Sequence, residues 1–362
     1  MPRRADRANS GCRDAESAAG RVVSRPRSRR AAATALTLPH APAKPLTNAR
    51  WVSQAPRDVW NLDQPMITFS TFGVLAYPNI DPVFLDLGFL QLRWYGLAYV
   101  AGILCGWLYG RSIAGNPNLW PDRVSPLTKT EADDFVLYIT LGIVLGGRLG
   151  SVLFYDFDRY LADPLAIFRV WEGGMSFHGG LIGVVVAIFI FCRMYKVPVW
   201  SMLDIASACV PFGLFFGRIA NFINAELWGA PTDVPWAMVF PGAGPDPRHP
   251  SQLYEAALEG ILLFIILRIA THRFGMFKRP RFVGGLFLFG YGAARIFVEF
   301  FRMPDVQLGY LYGGWLTMGM VLSIPMLIVG LWGMGFARYH SHASDPRIIA
   351  KRAKAEEDAK TA

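Results

Sequence analysis

Seven apolar runs, each about long enough to cross a bilayer as a helix, constrain this chain more than any other feature. They are approximately Tyr95–Arg111, Asp133–Phe154, Ser176–Arg193, Val199–Phe216, Leu253–Ala270, Val283–Phe301 and Gly313–Phe336. A spanning helix needs roughly 17–25 predominantly apolar residues. At that length only a helix satisfies its own backbone in lipid. By length the chain could hold two soluble domains, but 53% apolar residues and a mean hydropathy of +0.29 argue against that. The expected fold is an all-α polytopic membrane protein, with seven transmembrane helices over residues 95–337 and a small extracytoplasmic cap.

The formal charge of +9 does not belong to this helical body. Residues 1–65 hold twelve Lys/Arg against five Asp/Glu, whereas the remainder holds 24 against 22. No nucleic-acid footprint remains in the body. Residues 1–65 are rich in Arg, Ala, Ser and Pro, lack an apolar run of signal-peptide length, and read as a disordered basic extension. A dispensable tail, or an upstream start with Met66 as the native one, is favoured over a lipid tether or targeting segment. Residues 66–94, with turn residues at Tyr77-Pro78-Asn79 and Asp81-Pro82, read as an interfacial segment. Residues 338–362 form a charged tail. Cys12, Cys105, Cys192 and Cys209 have neither CxxC nor Cys/His ligand spacing, so neither a disulfide framework nor a metal site is expected.

Lys and Arg in the connections set the orientation. Fifteen fall on one side, including Arg123, Lys129, Arg193, Lys196 and the C-terminal tail. Four, Arg159, Arg169, Arg248 and Arg302, fall on the other. The C-terminus is therefore expected in the cytoplasm and, with seven spans, the N-terminus outside. The stretches 169–178, 218–229 and 302–312 then share the outer side. The long connection Asn221–Gln252 carries six prolines and is expected to form the cap.

Lipid excludes ionisable residues unless they serve a function, so those in the outer half of the runs are candidates. Phe216–Gly229 (FGRIANFINAELWG) places Arg218, Asn221, Asn224 and Glu226 just after an apolar run. Arg218 has a planar fork suited to phosphate; the bland alternative is an arginine snorkelling to the interface. His178, in Gly174-Met-Ser-Phe-His-Gly-Gly180, can act as a base near neutral pH. Its glycines allow close approach of a ligand or a neighbouring helix. Tyr291, Arg295 and Glu299 recur every four residues and share one helix face, with Arg302 following; a structural ion pair, Arg295–Glu299, is the alternative there. Tyr95, in Arg93-Trp-Tyr-Gly96, fits an aromatic belt equally well. Arg148 and Asp204 are further charges inside apolar runs, for which a mutual pair is conceivable. Two or three arginines, a histidine and a glutamate near one membrane face suit an enzyme or transporter of an anionic lipid.

These residues also resemble a known family. Gly217-Arg-Ile-Ala-Asn-Phe-Ile-Asn-Ala-Glu-Leu-Trp-Gly229 is similar to the signature of the bacterial prolipoprotein diacylglyceryl transferases. So are His178-Gly-Gly-Leu-Ile-Gly183, Arg93-Trp-Tyr-Gly96, Arg248-His-Pro-Ser-Gln-Leu-Tyr-Glu255, and Tyr291-Gly-Ala-Ala-Arg295 with Glu299-Phe-Phe-Arg302. The resemblance runs from about Asp81 to Phe336, in the family's order. Ala220 departs from a glycine found in many members.

The resemblance implies transfer of the diacylglyceryl group of phosphatidylglycerol to the lipobox cysteine of a preprolipoprotein signal peptide. A thioether forms and glycerol 1-phosphate is released, at the outer face of the bacterial inner membrane, with no metal or cofactor. It implies that Arg218 and Arg295 hold the lipid phosphate and that His178 is a candidate base for the thiol. Tyr95 and Tyr291 join them as catalytic candidates. Asn221, Glu226, Gly229, Glu299 and Arg302 are the further substrate-binding candidates. Two rivals stand beside this reading. A transporter or flippase of an anionic lipid predicts an internal repeat, and none is seen between the halves. An intramembrane hydrolase would use Ser176 of Gly174-Met-Ser-Phe with His178, a four-residue pattern of low specificity.

Overall fold

The structure is a computed structural model that describes residues 75–88, 91–169, 173–304, 309–341, 345–346, 348–350 and 353. The expected extension 1–65, with the alternative start at Met66, lies outside the described residues, as does most of the C-terminal tail.

Among the described residues, six helices are long and apolar enough to cross a membrane. They are α1 (Trp94–Ala114), α2 (Lys129–Phe154), α4 (Phe177–Met194), α5 (Val199–Ile223), α8 (Phe282–Glu299) and α9 (Met318–Gly335). A short helix, α3 (Phe157–Ala162), links α2 to α4. Between α5 and α8 the chain forms α6 (Ser251–Glu255), a π-helical stretch Ala256–Leu262 and α7 (Leu263–His272) without interruption. A π turn carries one extra residue and commonly marks a functional site. Ahead of α1, strands β1 (Val83–Asp86) and β2 (Gln91–Arg93) pair antiparallel. Leu75 bridges to Met238, and the Tyr77 hydroxyl donates to the carbonyls of Phe222 and Ile223 at 2.7 and 3.0 Å. This stretch is thereby fastened to the end of α5.

Lipid offers no hydrophobic drive for helix association, so close approach through small residues takes its place. The α2–α4 seam is built this way. Gly142, Gly146 and Gly150 on α2 face Gly179 and Gly183 on α4. A Cβ on Gly142 would lie 2.6 Å from the Gly183 carbonyl oxygen, and one on Gly150 2.7 Å from Gly179 Cα. The glycines of the His178-Gly-Gly motif therefore serve helix packing. The main apolar core, including Ile113, Trp120, Phe191, Met202, Leu267 and Phe277, lies towards the opposite end of the bundle.

Two charges inside apolar runs stitch backbone, and they do not pair with each other. Arg148 is 4% exposed and donates to the carbonyls of Ala166, Ile167, Arg169, Gly173 and Gly174, with its guanidinium 5.1 Å from the Tyr160 ring centre. The Asp204 carboxylate on α5 accepts from the backbone N–H of Arg281 (2.9 Å) and Gly284 (2.7 Å). It caps α8 from a neighbouring helix, where unpaired N–H groups and the helix dipole favour an anion. The conceivable Arg148–Asp204 pair is not formed, because each is committed to main chain.

Candidate active site

Helix α5 runs to Ile223, seven residues beyond the apolar run Val199–Phe216. Arg218 and Asn221 therefore stand on helix, not in the connection. This extension brings Arg218 against α6 and its π continuation. Arg218 Nε lies 3.2 Å from Glu255 Oε2, and its Nη2 lies 3.4 Å from Glu259 Oε2. Helix α8 approaches from the other side. Arg295 Nη1 and Arg302 Nη1 (2.7 Å) both donate to Glu255 Oε1. Arg295 also pairs with Glu299 one turn on, and Arg302 Nε lies 3.6 Å from Glu299. The Thr317 hydroxyl, at the start of α9, donates to Glu299 at 2.7 Å. Gly319 leaves room for this carboxylate: a Cβ there would meet Glu299 Oε1 at 2.5 Å.

Three arginines thus meet three glutamates at one end of the bundle. Glu255 and Glu259 are fully buried, and Glu299 nearly so. Burying such charges is costly unless each is paired, and here the pairs run between helices. The arginines keep an opening. The Arg218 and Arg295 side chains are 18% exposed and Arg302 10%. Arg218 Nη1 and Arg302 Nη2 make no hydrogen bond among the described residues. Tyr291, one turn before Arg295, is within Coulomb reach of Glu259, Arg218 and Arg295. A donor-rich, charge-balanced rim of this kind suits an oxyanion or a phosphate.

A second polar group adjoins it. Asn221 Nδ2 donates to the Tyr95 hydroxyl at 2.7 Å and to Glu226 Oε1 at 2.8 Å. Glu226 is turned back towards the helix by a tight bend in which Ala225 and Leu227 have φ of 52° and 58°. Non-glycine residues adopt this left-handed region sparingly, and such strain gathers at functional sites. Gln252 Nε2 holds the Glu226 carbonyl at 2.6 Å. Gly229 sits where a Cβ would lie 2.7 Å from His249 Cβ and closer still to the Phe301 carbonyl. Its neighbourhood is the chain itself, and it ties the connection to the end of α8 through the Gly229–Arg302 bridge. Arg248 holds the carbonyls of Gly229 and Ala243.

The structure therefore brings together Arg218, Arg295, Glu299 and Arg302, with Tyr291 beside them, and separately Tyr95, Asn221 and Glu226. His178 joins neither group: its ring is exposed at the start of α4, against Phe177, with no hydrogen-bond partner among the described residues. Ser176 Oγ accepts from Gly179 N–H as the α4 N-cap, as a structural serine does. Glu255, Glu259 and Thr317 were missed as site residues. The signal for the glutamates was present: two carboxylates four residues apart inside the apolar run Leu253–Ala270.

At the rim, His249 Nδ1 lies 3.0 Å from the Tyr254 hydroxyl, which also accepts from Trp236 Nε1 at 2.6 Å. The Tyr254 hydroxyl thereby links the indole of Trp236 to the imidazole of His249. Burial lowers the His249 pKa below the ordinary histidine value.

The family described as prolipoprotein diacylglyceryl transferase matches residues 82–336. The phosphatidylglycerol–prolipoprotein diacylglyceryl transferase of Rhizobium leguminosarum bv. trifolii is 57% identical over 266 residues, covering 73% of this chain and 94% of the relative. That of Mesorhizobium japonicum is 57% identical over 265 residues, covering 73% and 93%. That of Brucella anthropi is 55% identical over 260 residues, covering 72% and 92%.

Proposed function

The chain belongs to the prolipoprotein diacylglyceryl transferase family, and from that premise we propose how it works. It is a transferase that moves the diacylglyceryl group of phosphatidylglycerol onto a prolipoprotein. The acceptor is the thiol of the lipobox cysteine in the signal peptide. Sulfur attacks the glyceryl carbon, the C–O bond to phosphate breaks, a thioether forms and glycerol 1-phosphate leaves. The observation that carries the site assignment is the convergence of Arg218 and Arg295, from two helices, on the shared Glu255. The uncommitted N–H groups of Arg218 and Arg302 hold the phosphate beside Arg295, and the cluster stabilises the charge that grows on it. Arg302 and Glu299 complete the anion site, and Tyr291 lines its deep side. Tyr95, Asn221 and Glu226 form the neighbouring polar wall for the glyceryl and peptide groups, and Gly229 shapes it by tying the connection to the end of α8. A cysteine thiol, pKa about 8.5, is mostly protonated at neutral pH. His178, exposed at the same end of the bundle, is the candidate that takes its proton from the incoming peptide.

Ser251–His272 forms the seventh spanning helix in this reading. At 1.5 Å per residue its three stretches reach about 33 Å, enough for the hydrocarbon layer. The site then lies at the outer face of the inner membrane, with the connection 224–250 as its cap, the N-terminus outside and the C-terminus in the cytoplasm. The excess of Lys and Arg on the other side supports this. The N-cap role of Ser176 counts against the hydrolase reading.

The test is transfer by purified protein in detergent, from phosphatidylglycerol to a lipobox peptide, read as peptide mass gain and glycerol phosphate release. Transfer by the parent that is lost in Arg218→Ala and Arg295→Ala establishes the phosphate roles, whereas transfer surviving in both sinks them. Near-normal turnover of His178→Gln removes His178 as an obligatory base.

A further inference from the structure

Three arginines without partners would form a site of charge +3, which would hold any phosphate tightly. The chain places three carboxylates beneath them. Among these Glu255 is singular: it is fully buried and touches all three, Arg218 at 3.2 Å, Arg302 at 2.7 Å, and Arg295. Glu259, one turn deeper, touches Arg218 alone, at 3.4 Å. Neither carboxylate is needed to bind an anion, and each opposes one electrostatically.

Resting on the transferase reading, we propose that Glu255 is the positioning residue of the anion site. It aims Arg218 and Arg295 from two helices at one phosphate, and by cancelling their charge it lets the product leave. The substrate phosphodiester carries one negative charge. The released monoester carries nearly two at neutral pH, since its second pKa is about 6. A cationic pocket would therefore bind product more tightly than substrate and clog. A charge-balanced pocket instead binds through directed hydrogen bonds, which are made to both, and repels the added charge of the product. The carboxylates thus trade affinity for turnover, in keeping with catalysis by differential binding.

The experiment uses the full-length chain in detergent and two probes, inorganic phosphate and glycerol 1-phosphate, with binding read by titration calorimetry and by the shift in melting temperature. Glu255→Gln keeps size and an acceptor oxygen while removing the charge. One charge a few ångströms from the ligand at an effective dielectric of about 20 makes phosphate binding at least about tenfold tighter. Glu259→Gln, which touches one arginine, tightens it less. Asp133→Asn, which disturbs an arginine pair far along the chain at the start of α2, with Arg111 at 3.0 Å, leaves it unchanged. In the transfer assay Glu255→Gln lowers KM for phosphatidylglycerol, lowers kcat, and makes glycerol 1-phosphate a stronger inhibitor. A merely structural glutamate would lower the melting temperature without moving the phosphate affinity of the folded fraction.

Phosphate affinity unchanged or weakened in the glutamine variants overturns the proposal, as does equal tightening in Asp133→Asn. Should Glu255→Gln fail to fold, Glu259→Gln alone decides, since it removes a single longer contact. A parent that binds phosphate and shows this graded tightening but transfers nothing would sink the transferase reading and leave the charge-balanced site standing. A parent that transfers normally while no tightening occurs would sink this proposal alone.

Discussion

Arginine is buried in two different ways in this bundle. Arg148, between α2 and α4, spends its guanidinium on five main-chain carbonyls and one tyrosine ring. Arg218, Arg295 and Arg302, among α5, α6 and α8, are held by carboxylates, and Arg218 Nη1 and Arg302 Nη2 stay uncommitted among the described residues. A carbonyl-caged arginine fixes the path of a loop and has nothing left to offer. A carboxylate-held arginine is aimed, neutralised and still able to donate. The counter-group, more than the depth, separates the structural arginine from the functional ones.

Replacing Arg218 or Arg295 with alanine tests this distinction most severely. We expect transfer to fall by about 100-fold to 1,000-fold, as when a transition-state donor is removed. Loss of folding of similar size in Arg148→Ala and Arg218→Ala would erase the distinction. Arg148→Met comes next. It strands five carbonyls and should cost about 3 kcal/mol of stability. Hydrogen exchange over 164–176 should rise while phosphate affinity stays at the parental value. Asp204 is the acidic counterpart of Arg148, held by backbone N–H groups. Asp204→Asn should cost about 1–2 kcal/mol in thermal unfolding and likewise spare phosphate binding. Thr317→Val removes the hydroxyl that orients Glu299, worth about 1 kcal/mol. Its effect should appear in kcat before it appears in the melt, marking Glu299 as part of the functional set.

The smallest effect concerns His249, which belongs to neither class. Burial holds its folded pKa below the unfolded value. The unfolded chain therefore binds more protons as pH falls through about 6.5, and stability falls with it. His249→Gln should flatten this part of the melting-temperature profile between pH 7.5 and 5.5. An unchanged slope would mean that other groups carry it.

Much of this was legible because lipid makes charge conspicuous. Arg295 and Glu299 interrupt an apolar run, Arg218 and Arg302 stand one or two residues past the ends of two of them, and a spacing of four on α8 aligns Tyr291, Arg295 and Glu299. The spans were legible to within a few residues at most ends, except that α5 runs on through Ile223. Only contacts could tell what each charge pairs with. Arg148 and Asp204 looked like possible partners, yet carbonyls and amides, which leave no mark in a sequence, claimed them. Glu255 and Glu259 were passed over because a hydrophobic count over Leu253–Ala270 absorbs them. His178 was legible as a motif, but its exposed position on α4 depends on the glycine seam beneath it.

The glutamates on the π-interrupted helix also bear on how the chain is made. A segment carrying two buried carboxylates is a poor candidate to enter a bilayer unaided. Synthesis delivers Arg218 first, on the preceding long helix, then Glu255 and Glu259, and only afterwards Arg295 and Arg302. A nascent chain released as far as His272 would have one arginine to receive Glu255, where the finished protein has three. In the seven-span reading, the helix bearing the glutamates would be held first by the arginine of the helix made before it and then secured by the two arginines made after it.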